Sequence, residues 1–213
     1  MNIYNKKFAP YYDKNWKSFS VAVFEYFKKD LKNKDVCDIA CGTGNFIKKA
    51  KKITRSIEGV DISKDFIDYA KKNNPKINLK VASVENWHKK NKYDVIVCLY
   101  DSVNHFYNWP KAFKNVFKSL KNNGSFIFDI NTIKGLKKWD GKYVEKINGK
   151  SIIMNGKGVS KNSAKMNITI KDSKNHTLST AEVFEKAYPI EEIKHMLKSS
   201  GFKKVKNLGN ILK

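Results

Sequence analysis

At 213 residues and 24.6 kDa the chain is the size of one domain with room for a full core. Its net charge of +23 would ordinarily point to nucleic acid, but only Arg55 of the 43 basic residues is arginine, the better partner for phosphate and guanine, and the lysines are scattered along the whole length. No run approaches the roughly 18 uninterrupted apolar residues of a membrane span, and Met1 to Lys7 lacks a signal peptide's apolar stretch, so a cytoplasmic protein with no membrane partner is expected.

Phe19, Val23, Phe24 and Phe27 recur at helical spacing between about Lys14 and Leu31, and residues 1–31 read as a leading helical cap. Strands and helices then alternate: strand Val36 to Ala40, helix Asn45 to Lys52, strand Ser56 to Asp61, helix Lys64 to Asn73, strand Ile77 to Ala82, a short turn near Glu85 to Lys89, strand Tyr93 to Leu99, helix Pro110 to Lys121 and strand Gly124 to Asn131. Ser63 is placed to cap the helix from Lys64, Asp65 adds a first-turn charge, and Asn123-Gly124 is expected to close the helix before the fifth strand. Such alternation predicts an α/β fold, a doubly wound and mostly parallel sheet of six or seven strands with ligands seated beyond the carboxyl ends of the strands.

From about Trp139 the pattern changes. Ala164, Met166, Ile168 and Ile170 alternate with Lys165, Asn167, Thr169 and Lys171, the period-two signature of a half-buried strand. Asn148-Gly149 and Asp172-Ser173-Lys174-Asn175 supply turns, so residues 139–187 read as an antiparallel β insertion of three or four strands within a single domain, residues 1–213. A last helix from Pro189 to Ser200 follows, Gly201 stops it, and Phe202 to Leu208 is expected to be a further strand. The edges of the insertion leave monomer and homodimer equally open. Cys37, Cys41 and Cys98 form no C-x-x-C pair, which favours reduced, packed thiols over zinc or a disulfide; no metal site is expected.

The chemistry concentrates at Val36-Cys37-Asp38-Ile39-Ala40-Cys41-Gly42-Thr43-Gly44-Asn45-Phe46, an apolar run ending on a small-residue turn that opens a helix. Backbone approaches a ligand closely only where side chains are missing. A second apolar run ends on Asp61, placed to accept both hydroxyls of a ribose. The dinucleotide fingerprint G-x-G-x-x-G fails, because its third glycine position is Ile47.

These residues resemble the first motif, D-x-x-C-G-T-G, and the acidic second motif of class I S-adenosylmethionine-dependent methyltransferases. The resemblance runs from about Tyr11 to Val205 and implies S-adenosyl-L-methionine as cofactor. It implies that Gly42 and Gly44 pass under the methionine part, with Asp38, Ala40, Cys41 and Leu99 also at the cofactor, that Asp61 holds the ribose, and that Ile62 and Val84 sandwich the adenine. Tyr12, with Asp13, looks like the family's N-terminal segment that folds over the cofactor. Ser83 stands where the family often has an aspartate for the adenine amino group and is a weaker acceptor. The family's antiparallel seventh strand has only Gly209 to Lys213 to match it, and the inserted sheet is similar to that of small-molecule methyltransferases, including those acting on amines and amino sugars.

Methyl transfer from a sulfonium needs alignment more than covalent help, and a protein base serves to free the acceptor's lone pair. His105, after the fourth strand, is the first candidate base, and Asp101 is placed to bind a cationic amine or to cap a helix. Tyr12, Tyr100, Phe106 and Trp109 are candidates for an aromatic wall, while His88, His176 and His195 lack metal spacing. The expected partner is therefore a small-molecule methyl acceptor with a nitrogen or oxygen nucleophile. Two alternatives are a nucleic-acid methyltransferase, for which Tyr100-Asp101-Ser102-Val103 lacks the [DN]-P-P-[YFW] pattern, and a catalytically idle cofactor-binding protein.

Overall fold

The computed structural model describes residues 4–147 and 149–209. Two short helices, α1 (Ala9–Asn15) and α2 (Lys17–Leu31), precede the sheet, where one helix from Lys14 was expected. The chain breaks at Trp16, whose ring turns back to stack on Tyr12 at 5.4 Å between centroids. There follow β1 (Asp35–Ile39), α3 (Asn45–Ala50), β2 (Ser56–Asp61), α4 (Lys64–Asn73), β3 (Asn78–Val81), β4 (Tyr93–Cys98), a 3-10 turn (Ser102–His105), α5 (Trp109–Ser119) and β5 (Leu120–Phe128). The Ser63 hydroxyl accepts from the Phe66 amide at 3.1 Å, the expected cap of α4.

The five strands form one parallel sheet in the order β3-β2-β1-β4-β5. The chain steps outward from β1 to β3, then returns to lay β4 on the other side of β1, and the order reverses between β1 and β4. A crevice opens there at the carboxyl ends of the strands. Core clusters cover both faces: Tyr93, Trp109 and Phe113 belong to one, Ile47, Ile67 and Leu79 to the other. Removing each such side chain from water contributes about 1.5–3 kcal/mol.

The opposite end of the sheet is tied by charge. Arg55 donates from Nε to Asp35 at 3.0 Å and from Nη2 to Asp94 at 2.9 Å, and the Lys121 ammonium donates to the same two carboxylates at 2.6 and 3.1 Å. One clasp thus joins β1, β4 and β5. Asn123-Gly124 does not close a helix as expected. The helix α5 ends at Ser119, and the pair lies inside β5, where the register jumps from Tyr93–Leu120 to Val95–Ser125 and the intervening residues bulge outward.

After α6 (Ile133–Lys137), a separate antiparallel sheet runs β6 (Gly141–Ile147), β7 (Lys150–Ser160), β8 (Ser163–Lys171) and β9 (Thr177–Lys186), and α7 (Ile190–Ser199) rejoins the main layer. The insertion has four strands, the larger of the two expected numbers, and ends before the last helix as expected. Asp172 turns the β8–β9 connection, its Oδ1 accepting from the amides of Lys174 and His176 at 2.9 Å each. Of the Asn148-Gly149 turn, Asn148 lies outside the described residues.

The expected sixth strand, Phe202 to Leu208, is irregular, and the parallel sheet has five strands among the described residues. Its apolar residues Phe202 and Val205 are three apart, which cannot share one face of a strand; Phe202 packs instead edge-on against Phe117 at 5.3 Å. Of the segment matched to a seventh strand, residues 210–213 lie outside the described residues.

Candidate active site

The turn after β1 is built from backbone that ordinary side chains avoid. Ala40 (φ 55°), Gly42 (φ 56°) and Gly44 (φ 80°) are all left-handed, and the Gly44 carbonyl starts α3. A Cβ on Gly42 would come within 3.3 Å of the Tyr12 ring, and one on Gly44 within 2.8 Å of Asn74 Nδ2. Small residues are therefore required by space as well as by torsion.

Two acids flank this turn. Asp61, at the end of β2, is 7% exposed and accepts from the Gly42 and Ser63 amides at 2.8 Å each; burial raises its pKa while those amides pull it back. Asp38, at 2% exposure, has no hydrogen-bond donor among the described residues, and burial followed by the Asp61 charge pushes its pKa well up. Its carboxylate lines a cavity of about 20 Å³ together with Tyr12, Ala40, Cys41, Leu99 and Tyr100, space for one water.

The remaining expected positions divide. Ile62, 67% exposed, offers an apolar side chain at the mouth beside β2, whereas Val84 is packed in the core against the opposite face. The Ser83 hydroxyl accepts from the Glu85 amide at 3.3 Å and so already closes a turn. Cys37, Cys41 and Cys98 are buried free thiols, raised in pKa by burial.

On the β4–β5 side the chain is strained again. Tyr100 (φ 60°) and Asp101 (φ 45°) are consecutive left-handed residues without being glycine, held because the Asp101 amide donates to Asp129 Oδ2 at 2.8 Å. His105 is half-buried, and the desolvation it suffers lowers its pKa, so the ring is neutral at pH 7. Its Nδ1–H donates to the Phe184 carbonyl at 3.1 Å, which leaves Nε2 as an acceptor, met by the Tyr4 hydroxyl at 3.2 Å.

Three residues that the sequence reading did not single out complete this half. Asn104 exchanges backbone hydrogen bonds with Asn131 through Nδ2 and Oδ1, both at 2.9 Å, and donates to the Lys186 carbonyl at 3.0 Å. Asn131 Nδ2 in turn donates to Asp101 Oδ2 at 2.8 Å and to Glu185 Oε2 at 2.9 Å. Glu185, on β9, stands 3.6 Å from His105 Nε2. Burial, then the Asp129 charge, raises Asp101; burial, then the Asp101 charge, raises Glu185; and burial puts Asp129 at about 6. The donor atoms of Asp101, His105 and Glu185 lie within 4.8 Å of one another, a grouping no spacing in the sequence foretold.

Aromatic rings close the crevice from the N-terminal side. Tyr4 packs edge-on to Phe66 at 5.1 Å and Tyr12 faces Tyr100 at 6.0 Å. The strap is fastened by the Ser63 hydroxyl, which donates to the Tyr4 carbonyl, and by the Lys6 amide, which donates to Asp65 at 2.9 Å. Trp109 and Phe106 take no part in it; both pack into the core cluster around α5.

Comparison with known proteins converges on this region. A family model described as a methyltransferase domain matches residues 36–124. An uncharacterised protein of Methanocaldococcus jannaschii is 30% identical over 210 residues, covering 97% of this chain and 77% of its own length. A ubiquinone biosynthesis O-methyltransferase of Pelagibacter ubique is 39% identical over 108 residues, 48% of this chain; the chain spans 45% of that relative. A crystal structure of an S-adenosylmethionine-dependent methyltransferase from Clostridium acetobutylicum superposes with a TM-score of 0.78 at 27% identity, covering 91% of this chain and 86% of that one.

Proposed function

Because this chain belongs to the class I S-adenosylmethionine-dependent methyltransferases, we propose that its crevice aligns the cofactor with a small-molecule nitrogen or oxygen nucleophile for in-line methyl transfer. The observation that carries this reading is the pair of buried acids around a turn too crowded for side chains: Asp38, without a hydrogen-bond donor among the described residues, and Asp61, at the end of the next strand.

The residues present fit the cofactor. Asp38 would accept from its α-ammonium group, ionised once that charge arrives, the Gly42–Gly44 backbone would meet its carboxylate side, Asp61 would accept from the ribose hydroxyls, and Ile62 would offer adenine an apolar surface. Ser83 and Val84 lie at the end of β3, where the hydroxyl offers a single weak acceptor. When bound, S-adenosylmethionine supplies a methyl on a positively charged sulfur, ready for displacement by a lone pair.

The chain's own residues hold and prepare the acceptor. Tyr12 and Tyr100 line the crevice beside Asp38, and neutral His105, fixed through Nδ1 on the Phe184 carbonyl and through Nε2 on the Tyr4 hydroxyl, stands on the acceptor side with Asp101 beside it. The β9 end and the Tyr4 strap cover this side, which favours a small acceptor over a nucleic-acid strand. Calorimetry with S-adenosylhomocysteine, the demethylated product, tests the assignment. Asp61→Ala should weaken binding by about 1.5–3 kcal/mol, the loss of a charge-assisted hydrogen bond, and an unchanged affinity would remove Asp61 from the ribose.

A further inference from the structure

The chain has 43 basic residues, yet among the described residues three carboxylates gathered at the active edge meet no lysine or arginine. The lysine and arginine ion pairs among the described residues go to Glu25, Asp35, Glu58, Asp68, Asp94, Glu182 and Glu191, and none to Asp101, Asp129 or Glu185. Lys186 is adjacent to Glu185 on β9, yet its ammonium lies over the Tyr188 ring at 4.6 Å. Asp101 and Glu185 share one neutral donor, the Asn131 amide, and Asp129 Oδ1 is buried with no hydrogen-bond partner among the described residues. A buried carboxylate left without a cation is costly unless something positive arrives or it takes up a proton.

Resting on the reading above, we propose that Asp101 and Glu185 seat the ammonium group of a small cationic amine, and that Glu185 takes the proton this amine must shed before it can attack. The acceptor class is thereby a primary or secondary alkylamine, not a phenol or alcohol. The N–H bond of the ammonium breaks, its proton passes to a Glu185 carboxylate oxygen, and the electron pair stays on nitrogen. That pair forms the new N–C bond as the C–S bond breaks onto sulfur. The positive charge leaves sulfur and ends on the methylated nitrogen, so charge and protons balance.

The surroundings suit this exchange. Around Glu185 stand Asp101 and neutral His105 from the turn after β4, Asp129 and Asn131 after β5, and the Tyr4 hydroxyl from the strap. Burial and mutual repulsion raise Asp101 and Glu185 toward neutrality, where a carboxylate is a competent base for an ammonium brought beside it. The Tyr4 ring stands at right angles to the His105 ring, 6.0 Å between centroids, and gives this side of the site an aromatic wall.

A matched pair of probes decides the matter. With S-adenosylhomocysteine bound, the carboxyl carbon of Glu185 is followed by NMR on protein labelled with carbon-13 glutamate, its signal assigned by loss in Glu185→Gln. Cyclohexylammonium should lower the titration midpoint by one pH unit or more, a tenfold preference for the charged carboxylate, while cyclohexanol of the same shape leaves it in place. Equal effects of the two, no effect of either, or a response to zinc ions and not to the amine would overturn the proposal. If S-adenosylhomocysteine itself does not bind, the cofactor reading fails with it; binding without discrimination between the probes sinks the amine assignment alone.

Discussion

Buried acids set how this molecule responds to pH. An unfolded aspartate titrates near about 3.9, whereas Asp129 is held at about 6 and Asp38, Asp61, Asp101 and Glu185 are raised by burial. Through the window between those values the folded state binds more protons than the unfolded one, so stability falls as pH rises. Thermal unfolding of the ligand-free protein should accordingly give a higher Tm at pH 5 than at pH 8. In Asp129→Asn the decline should be shallower, and a slope equal to that of the parent protein would show that this carboxyl is not held up. Some of this chemistry was legible in the residues alone. The glycine turn and Asp61 announced themselves because tight turns demand particular residue types in consecutive positions. Glu185 did not, since a lone glutamate in an alternating strand reveals only that it points inward, and its partner Asn131 is 54 residues away.

Among the elements, the clasp at the foot of the sheet behaves in the opposite sense. Hydrogen bonding from Lys121, then from Ser56 and Arg55, holds the Asp35 carboxyl down at about 2. A depressed acid contributes stability that is complete above its unfolded pKa and lost as pH falls toward the folded one. Lys121→Met should therefore cost stability at neutral pH, where the Asp35 contribution is complete, and raise the pH of acid unfolding followed by circular dichroism, the gap from the parent protein closing as Asp35 protonates below about pH 4. Strand and helix positions were readable wherever periodicity was strong: β2 and α4 fall on the expected residues, and alternation marked the insertion as antiparallel strands, with three or four left open. The failures have local causes. Trp16 splits one amphipathic stretch into two helices by folding back on Tyr12, and Asn123-Gly124 makes its turn inside a strand. Phe202 satisfies itself against α5 and leaves Lys203, Lys204 and Lys206 in water.

At the scale of the whole molecule, alternating elements were enough to predict a doubly wound sheet with its crevice where the strand order reverses, because connection handedness leaves few other topologies. How the insertion and the N-terminal strap meet over that crevice was beyond such reasoning; it depends on contacts such as Asn104 to Lys186, 82 residues apart. Beneath α1 the crevice narrows beside Asp38 to a cavity of about 20 Å³ lined by Tyr12, Phe46 and Tyr100, too small as it stands for the amino-acid end of the cofactor. Entry then waits on the protein. In rapid-mixing experiments the observed association rate of S-adenosylhomocysteine should level off as its concentration rises, the plateau being the frequency with which Tyr12 and its neighbours swing clear. A rate that stayed proportional to concentration would mean that the door already stands open. Removing the fastening at Asp65, by Asp65→Ala, should lift the plateau, making the Tyr4–Lys6 strap a timer for the catalytic cycle.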